Sequence, residues 1–94
     1  MAFRVLAFHY PLPAHRDEMV DRIKRAADVM AGCPGFLAAD CWLDEDGETV
    51  VAVGTFESKE NWLQAMRVVA SAEVDFDFDE REREQRRVQL LFEA

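Results

Sequence analysis

The chain has 94 residues, half of them hydrophobic, with 11 basic and 19 acidic side chains and a formal charge of −8. One domain is expected over residues 1–94, with a modest core that self-association would enlarge. A charge of this sign argues against nucleic acid and membranes as partners, because anionic surfaces are bound through clustered Lys and Arg.

The first predicted element is a strand over residues 3–10, stopped by Pro11. Phe3, Val5, Ala7 and His9 share one of its faces, and Arg4, Leu6, Phe8 and Tyr10 share the other. A helix is predicted over residues 15–31, where Met19, Val20, Ile23, Ala26, Ala27 and Met30 recur at helical period. Arg16, Asp17, Asp21, Arg22, Lys24, Arg25 and Asp28 are assigned to its solvated side. Gly32 stops the helix, and Cys33-Pro34-Gly35 suits a type II turn.

Residues 36–56 read as a β-hairpin, two apolar arms around an acidic turn that contains Asp46-Gly47. A loop of two or four residues puts Phe36, Ala38, Asp40 and Trp42 on one side with Thr49, Val51, Val53 and Thr55. Leu37, Ala39, Cys41, Leu43, Val50, Ala52, Gly54 and Phe56 then share the other side. A loop of three residues would swap the pairing. Neither side is fully polar, so both are expected to be covered.

Ser58 is the expected N-cap of a second helix over residues 59–70, whose stripe is Trp62, Ala65, Met66 and Val69. Residues 74–79 alternate apolar with acidic and read as a short strand or as a loop anchoring Phe76 and Phe78. Residues 80–87 are a charged run expected to form a turn or short helix, and residues 88–92 a last strand. The segment from 72 to 87 could serve as a lid or as a dimer arm.

The order strand, helix, strand, strand, helix, strand is that of the ferredoxin-like split βαβ arrangement, an α+β fold. Right-handed crossovers put both helices on one face of a four-stranded antiparallel sheet. The other face would carry large apolar groups, which a monomer seldom exposes, so a homodimer is expected. The chain opens directly into its first strand and has no run long enough to span a bilayer, so a cytoplasmic location is expected. Cys33 and Cys41 match neither a CxxC motif nor a zinc site and are read as free thiols. No metal motif and no glycine-rich phosphate loop is present, and no cofactor is expected.

His9 stands out because a neutral imidazole at the end of a strand could take a proton from a phenol. Asn61 could donate to a developing oxyanion, and Trp62 could form a flat wall for an aromatic ligand. Asp40 interrupts an apolar stripe and needs a partner if buried, with Arg4 or Arg87 in reach across the sheet or across a dimer.

Three stretches carry a resemblance: Cys33-Pro34-Gly35-Phe36-Leu37, the hairpin with its acidic turn, and Thr55-Phe56-Glu57-Ser58-Lys59-Glu60-Asn61-Trp62. Together they resemble the antibiotic biosynthesis monooxygenase family of dimeric α+β barrels. The likeness spans residues 3–69 and the last strand, and does not extend over residues 72–87. It implies a homodimer with a small-molecule pocket in each subunit, between helices and sheet. It also implies oxidation of polyaromatic phenols by dioxygen without metal or flavin, or, in another branch, degradation of haem. The haem branch uses an Asn on the first strand and a Trp and a His associated with the second helix. By spacing these Asn and Trp positions fall on Ala7 and Ala65, and no histidine follows His15, so haem degradation is not expected. The expected pocket comprises Ala7, Trp62, Ala65 and Met66, with His9 and Asn61 as catalytic residues. The leading function is cofactor-independent oxidation of a small aromatic or phenolic metabolite. The alternatives are a non-catalytic barrel that binds a small apolar ligand and a pure dimerisation module.

Overall fold

The structure is a computed structural model that describes residues 1–74 and 79–94. Its elements are β1 (Phe3–Pro11), α1 (Arg16–Ala31), β2 (Phe36–Leu43), β3 (Val50–Phe56), α2 (Lys59–Ser71) and β4 (Glu82–Phe92), with one 3₁₀ turn between β1 and α1. The strands form one antiparallel sheet in the order β2-β3-β1-β4. This is the ferredoxin-like α+β arrangement expected from the element order. The expectation for the Asp75-Phe76-Asp77-Phe78 stretch lies outside the described residues.

Both helices lie on the face of the sheet that carries Phe3, Val5, Ala7 and His9 from β1. There α1 crosses β2 and β3, and α2 packs against β3 and α1. Phe3 and Phe56 are fully buried beneath them, each worth about 2 kcal/mol of burial. The Phe3 ring meets Trp62 at 5.5 Å and Phe92 at 5.2 Å between centroids. At the other end of the sheet Met19, Ile23 and Val50 form a compact cluster. Ser58 caps α2, its hydroxyl accepting the Asn61 amide proton at 3.1 Å, a contact worth about 1 kcal/mol.

The hairpin loop spans residues 44–49, longer than expected, but it keeps the expected pairing of faces, with Trp42 opposite Val51 and Asp40 opposite Val53. Leu43 pairs with Val50, and the Asp44 amide donates to the Thr49 carbonyl at 2.9 Å. Asp46 holds the turn by accepting from the amides of Glu48 and Thr49. Gly47, at φ +72°, supplies the left-handed residue. Phe36 departs from the expected face. A register shift between Phe36 and Ala38 sets Phe36 opposite Phe56, where the two rings meet edge to face at 5.8 Å. The bulge lets a large ring join the core where plain alternation would leave it outside.

Two other expectations are corrected. Residues 82–87 are neither turn nor short helix: β4 begins at Glu82 and pairs with β1 as far as Pro11. The charged side chains suit an edge strand, which solvates its outer side, and the ladder to β1 overrides their helical propensity. Arg22 is not on the solvated side of α1 but is 4 % exposed. It lies three residues after Met19 and four before Ala26, on the same helical face. Its guanidinium reaches the Met19 sulfur at 3.8 Å.

The face away from the helices carries Leu6, Phe8, Val51, Val53, Trp42 and Leu91 on the strand registers. Trp42 is 62 % exposed there. Arg4 donates to Thr55 Oγ1 at 3.0 Å, and Arg87 lies over the Phe8 ring at 4.2 Å. Neither arginine pairs with Asp40, which makes no ion pair among the described residues.

Candidate functional site

Small side chains in the middle of the sheet create a cavity. Ala7, Ala39, Ala52 and Gly54 lie together on the helix-facing side of β1, β2 and β3, in register across the sheet. Ala26 and Ala27 of α1 stand above them. Because neither floor nor roof fills the gap, a space of about 490 Å³ remains between helices and sheet. This is within the usual range for sites of small organic ligands. Trp62, Met66, Met30 and Phe56 wall one end, His9 and Arg86 line the other, and Lys24 and Cys41 lie on the β2 side.

The polar end has a distinct electrostatic character. His9 is 4 % exposed and its pKa is lowered to about 4, first by burial and then by the positive charges of Arg86 and Arg22. The imidazole is therefore neutral at neutral pH. Glu82 lies in the same region, 7 % exposed, and its Oε1 makes no hydrogen bond among the described residues. Burial pushes the Glu82 carboxyl up, against the pull of Arg86 and Arg22. Burial likewise raises the Cys41 thiol, against the charge of Lys24. The charges of Arg86 and Arg22 both act on His9 at this end of the cavity.

Of the residues expected at the site, Ala7, His9, Trp62 and Met66 line the cavity together. Ala65 is fully buried but is not part of the lining. Asn61 is also outside the lining. Its side-chain oxygen accepts from the Ser58 hydroxyl at 2.7 Å, and its amide lies against Gly35. Gly35, at φ +79°, has no room for a Cβ because Asn61 occupies that place. Asn61 thus joins the start of α2 to the turn before β2, where the Glu57 amide also donates to the Gly35 carbonyl at 2.8 Å.

The sequence reading did not find Arg86 or the alanine floor. Both left a signal. Counting back by twos from Phe92 and Leu90 through Val88 reaches Arg86, so a longer strand would have placed it on the helix side. Ala7, Ala39, Ala52 and Gly54 stand at inward positions where a packed core favours larger side chains. Among the described residues no group of three or more His, Cys, Asp or Glu is arranged to hold a metal ion. No helix of the described residues is long and apolar enough to cross a membrane.

Comparison with known proteins matches residues 2–72 to the family model described as antibiotic biosynthesis monooxygenase. No curated protein matches the sequence. Among solved structures, Rv0793 from Mycobacterium tuberculosis superposes with a TM-score of 0.83 at 16 % identity, covering 100 % of this chain and 96 % of that one. A conserved protein from Methanosarcina mazei Go1 also superposes at 0.83, with 12 % identity over 100 % and 94 % of the two chains. SnoaB, described as a cofactor-independent oxygenase from Streptomyces nogalater, superposes at 0.74 with 15 % identity over 98 % and 92 %. Identities this low establish a shared fold, whereas the family match covers most of the sequence. The chain belongs to the antibiotic biosynthesis monooxygenase family.

Proposed function

We propose that the protein is a cofactor-independent monooxygenase that oxidises a small hydroxyarene in the cavity between helices and sheet. One observation carries this reading: an apolar cavity of about 490 Å³ that has a buried neutral imidazole and a guanidinium at one end. A flat ring system fits over the Ala7–Ala52–Gly54 floor with Trp62 and Met66 as walls, and its hydroxyl reaches the His9 and Arg86 end. Ionisation of the hydroxyl makes the ring electron-rich. The anion gives one electron to dioxygen, and the radical pair joins through a new C–O bond at a ring carbon that bears hydrogen. Loss of water from the hydroperoxide leaves a carbonyl, so one hydroxyarene and one dioxygen become one quinone and one water. In this scheme His9 holds a hydrogen bond to the reacting oxygen, and the apolar walls keep bulk water from the intermediate.

The test is oxygen uptake with anthrone and a panel of quinols under metal-free conditions, with the quinone product followed by absorbance. Uptake with a one-to-one yield of quinone is expected for at least one member of the panel. Binding without uptake across the panel would reject the oxygenase and select the ligand-binding reading.

We also propose that the face opposite the helices is covered by a second copy of the chain. The support is the apolar surface of Leu6, Phe8, Val51, Val53 and Leu91, with Trp42 62 % exposed upon it. Light scattering at micromolar concentration should give twice the chain mass, and Trp42→Asp should give a folded monomer. A wild-type monomer would sink this assignment. A location in the cytoplasm fits the same proposal, since the two cysteines are free thiols.

A further inference from the structure

The cavity has a second polar feature, away from His9, where it opens past the edge of the sheet. β2 is an edge strand, and Ala39 is exposed although it faces the helices. Leu43, on the same side of β2, is exposed as well. An alanine is too small to close the gap between α1 and β2, so a mouth remains there. Lys24 of α1 lines this mouth together with Cys41. It lies between the buried Ile23 and the cavity residues Ala26 and Ala27 on the same helix. Its stem therefore borders the apolar lining while its ammonium meets solvent.

Lys24 makes no hydrogen bond or ion pair among the described residues. Asp21 and Asp28, three residues before it and four after, are not within ion-pair distance of it. Asp40 borders the same mouth, but alternation turns its side chain to the opposite face of the sheet, with Trp42 and Val53. Burial pushes the Cys41 thiol up, against the pull of Lys24, so the thiol is neutral and adds no negative charge. The ammonium thus has unused donors at an apolar rim.

Its place in the sheet fixes what it can reach. Cys41, Ala52 and Ala7 form one row across β2, β3 and β1. Cys41 and Ala7 are therefore two strand spacings apart, about 10 Å. His9 is the next helix-facing residue of β1 beyond Ala7. An arene lying along this row with its hydroxyl at the His9 end presents its far ring to Lys24.

We propose that the cavity selects hydroxyarenes that carry a carboxylate on the ring far from the reacting hydroxyl, and that Lys24 holds this carboxylate at the β2 mouth. This rests on the cavity being the ligand site of the proposed oxygenase. The carboxylate is already ionised in water and gives up no proton on binding. It keeps part of its hydration at the open mouth, so the pair avoids the penalty of a fully buried one. The apolar wall on one side lowers the screening of the contact. Lys24 is a specificity residue, away from the reacting atoms.

Anthraquinone-2-carboxylate and anthraquinone-2-carboxamide test this, because they differ in charge and scarcely in shape. Titration calorimetry at low salt should give the carboxylate at least about fivefold the affinity of the amide, the upper range for a partly exposed ion pair. Lys24→Gln should bring the two within about twofold, Lys24→Glu should reverse their order, and Lys24→Arg should keep it. Lys24 is exposed, so these variants should melt as the wild type does. Lys59→Gln, outside this cavity, should leave the ratio unchanged. Equal affinities in the wild type overturn the proposal, and so does a preference that survives Lys24→Gln. The amide reports on the cavity itself. If it binds the wild type but not Ala7→Phe, equal probe affinities reject the role of Lys24 alone. If neither probe binds the wild type, the proposal falls together with the cavity as ligand site. A fivefold ratio without oxygen uptake from anthrone supports the carboxylate site and rejects the oxygenase, whereas uptake with equal affinities does the reverse.

Discussion

Ala7→Phe is expected to lower the affinity for anthrone at least about tenfold, a loss of about 1.4 kcal/mol or more. Ala7 lies at the centre of the cavity floor, paired with Ala52 on one side and Val88 on the other. A benzyl group at this position projects into the open space above the sheet. It takes the volume a ligand needs, within reach of Trp62 and Met66 on the facing helix. Because the space is empty of protein atoms, the ring also gains burial, worth up to about 2 kcal/mol. The thermal midpoint should therefore hold or rise while binding falls. That combination separates a filled cavity from a damaged fold, since overpacking a full core lowers stability. Ala52→Leu, one strand away, should act in the same direction with smaller effect. Unchanged probe affinity in both folded variants would mean that ligand does not bind in this cavity.

The second large effect concerns acid. The pKa of His9 falls from 6.5 to about 4 on folding, so the folded protein binds fewer protons than the unfolded chain between these values. The native state therefore has its full advantage above pH 6.5. It loses that advantage as pH falls to about 4, by about 3 kcal/mol in total. His9→Gln cannot titrate and should lack this component, so its denaturant midpoint should decline less over the window. Glu82 acts in the opposite sense. Its raised pKa stabilises the native state at low pH and costs stability as pH rises, but the group is present in both proteins. Asp79 and Glu18, both lowered by the hydrogen bonds of Arg81, favour the folded state above their ordinary range. The Asp79 contribution is lost only as pH falls from 3.8 towards 2, below the His9 window. Parallel stability profiles for wild type and His9→Gln between pH 6.5 and 4 would refute the assignment.

The acid-resistant brace has a structural role of its own. Arg81 donates to Asp79 at 2.7 Å and to Glu18 at 2.6 Å, and the Leu12 amide donates to the Arg81 carbonyl at 2.8 Å. These contacts join the start of β4 to the start of α1 and to the chain leaving β1. They hold the β4 ladder in place up to Glu82, which in turn sets where Arg86 stands. The end of the cavity lined by His9 and Arg86 thus depends on contacts made outside it.

Much of this fold follows from local sequence. Alternation in β1 and the hairpin, the apolar stripes of both helices, Ser58 as a cap and Gly47 in the turn are all short-range signals, and apart from Phe36 each has its expected place. The family resemblance also rested on local stretches around Cys33 to Leu37 and Thr55 to Trp62. The cavity residues Ala7, His9, Trp62 and Met66 were legible because the period of a strand or helix dictates which side they occupy.

What needed the tertiary structure was how the elements combine. The extent of β4 depends on a ladder to β1 that no local propensity encodes, so its charged residues looked like surface helix. Arg22 has the spacing of the buried stripe, but its charge assigned it to solvent. Its burial depends on what β1 and β4 bring beside it. Asn61 looked available for chemistry until the turn at Gly35 came to lie against it. The cavity is the clearest case. Each alanine and Gly54 is unremarkable alone, and only their register across three strands, under a helix that is also small there, leaves a space. Residue periodicity decided which face each side chain takes. Long-range pairing decided which faces meet, and so where a ligand can be held.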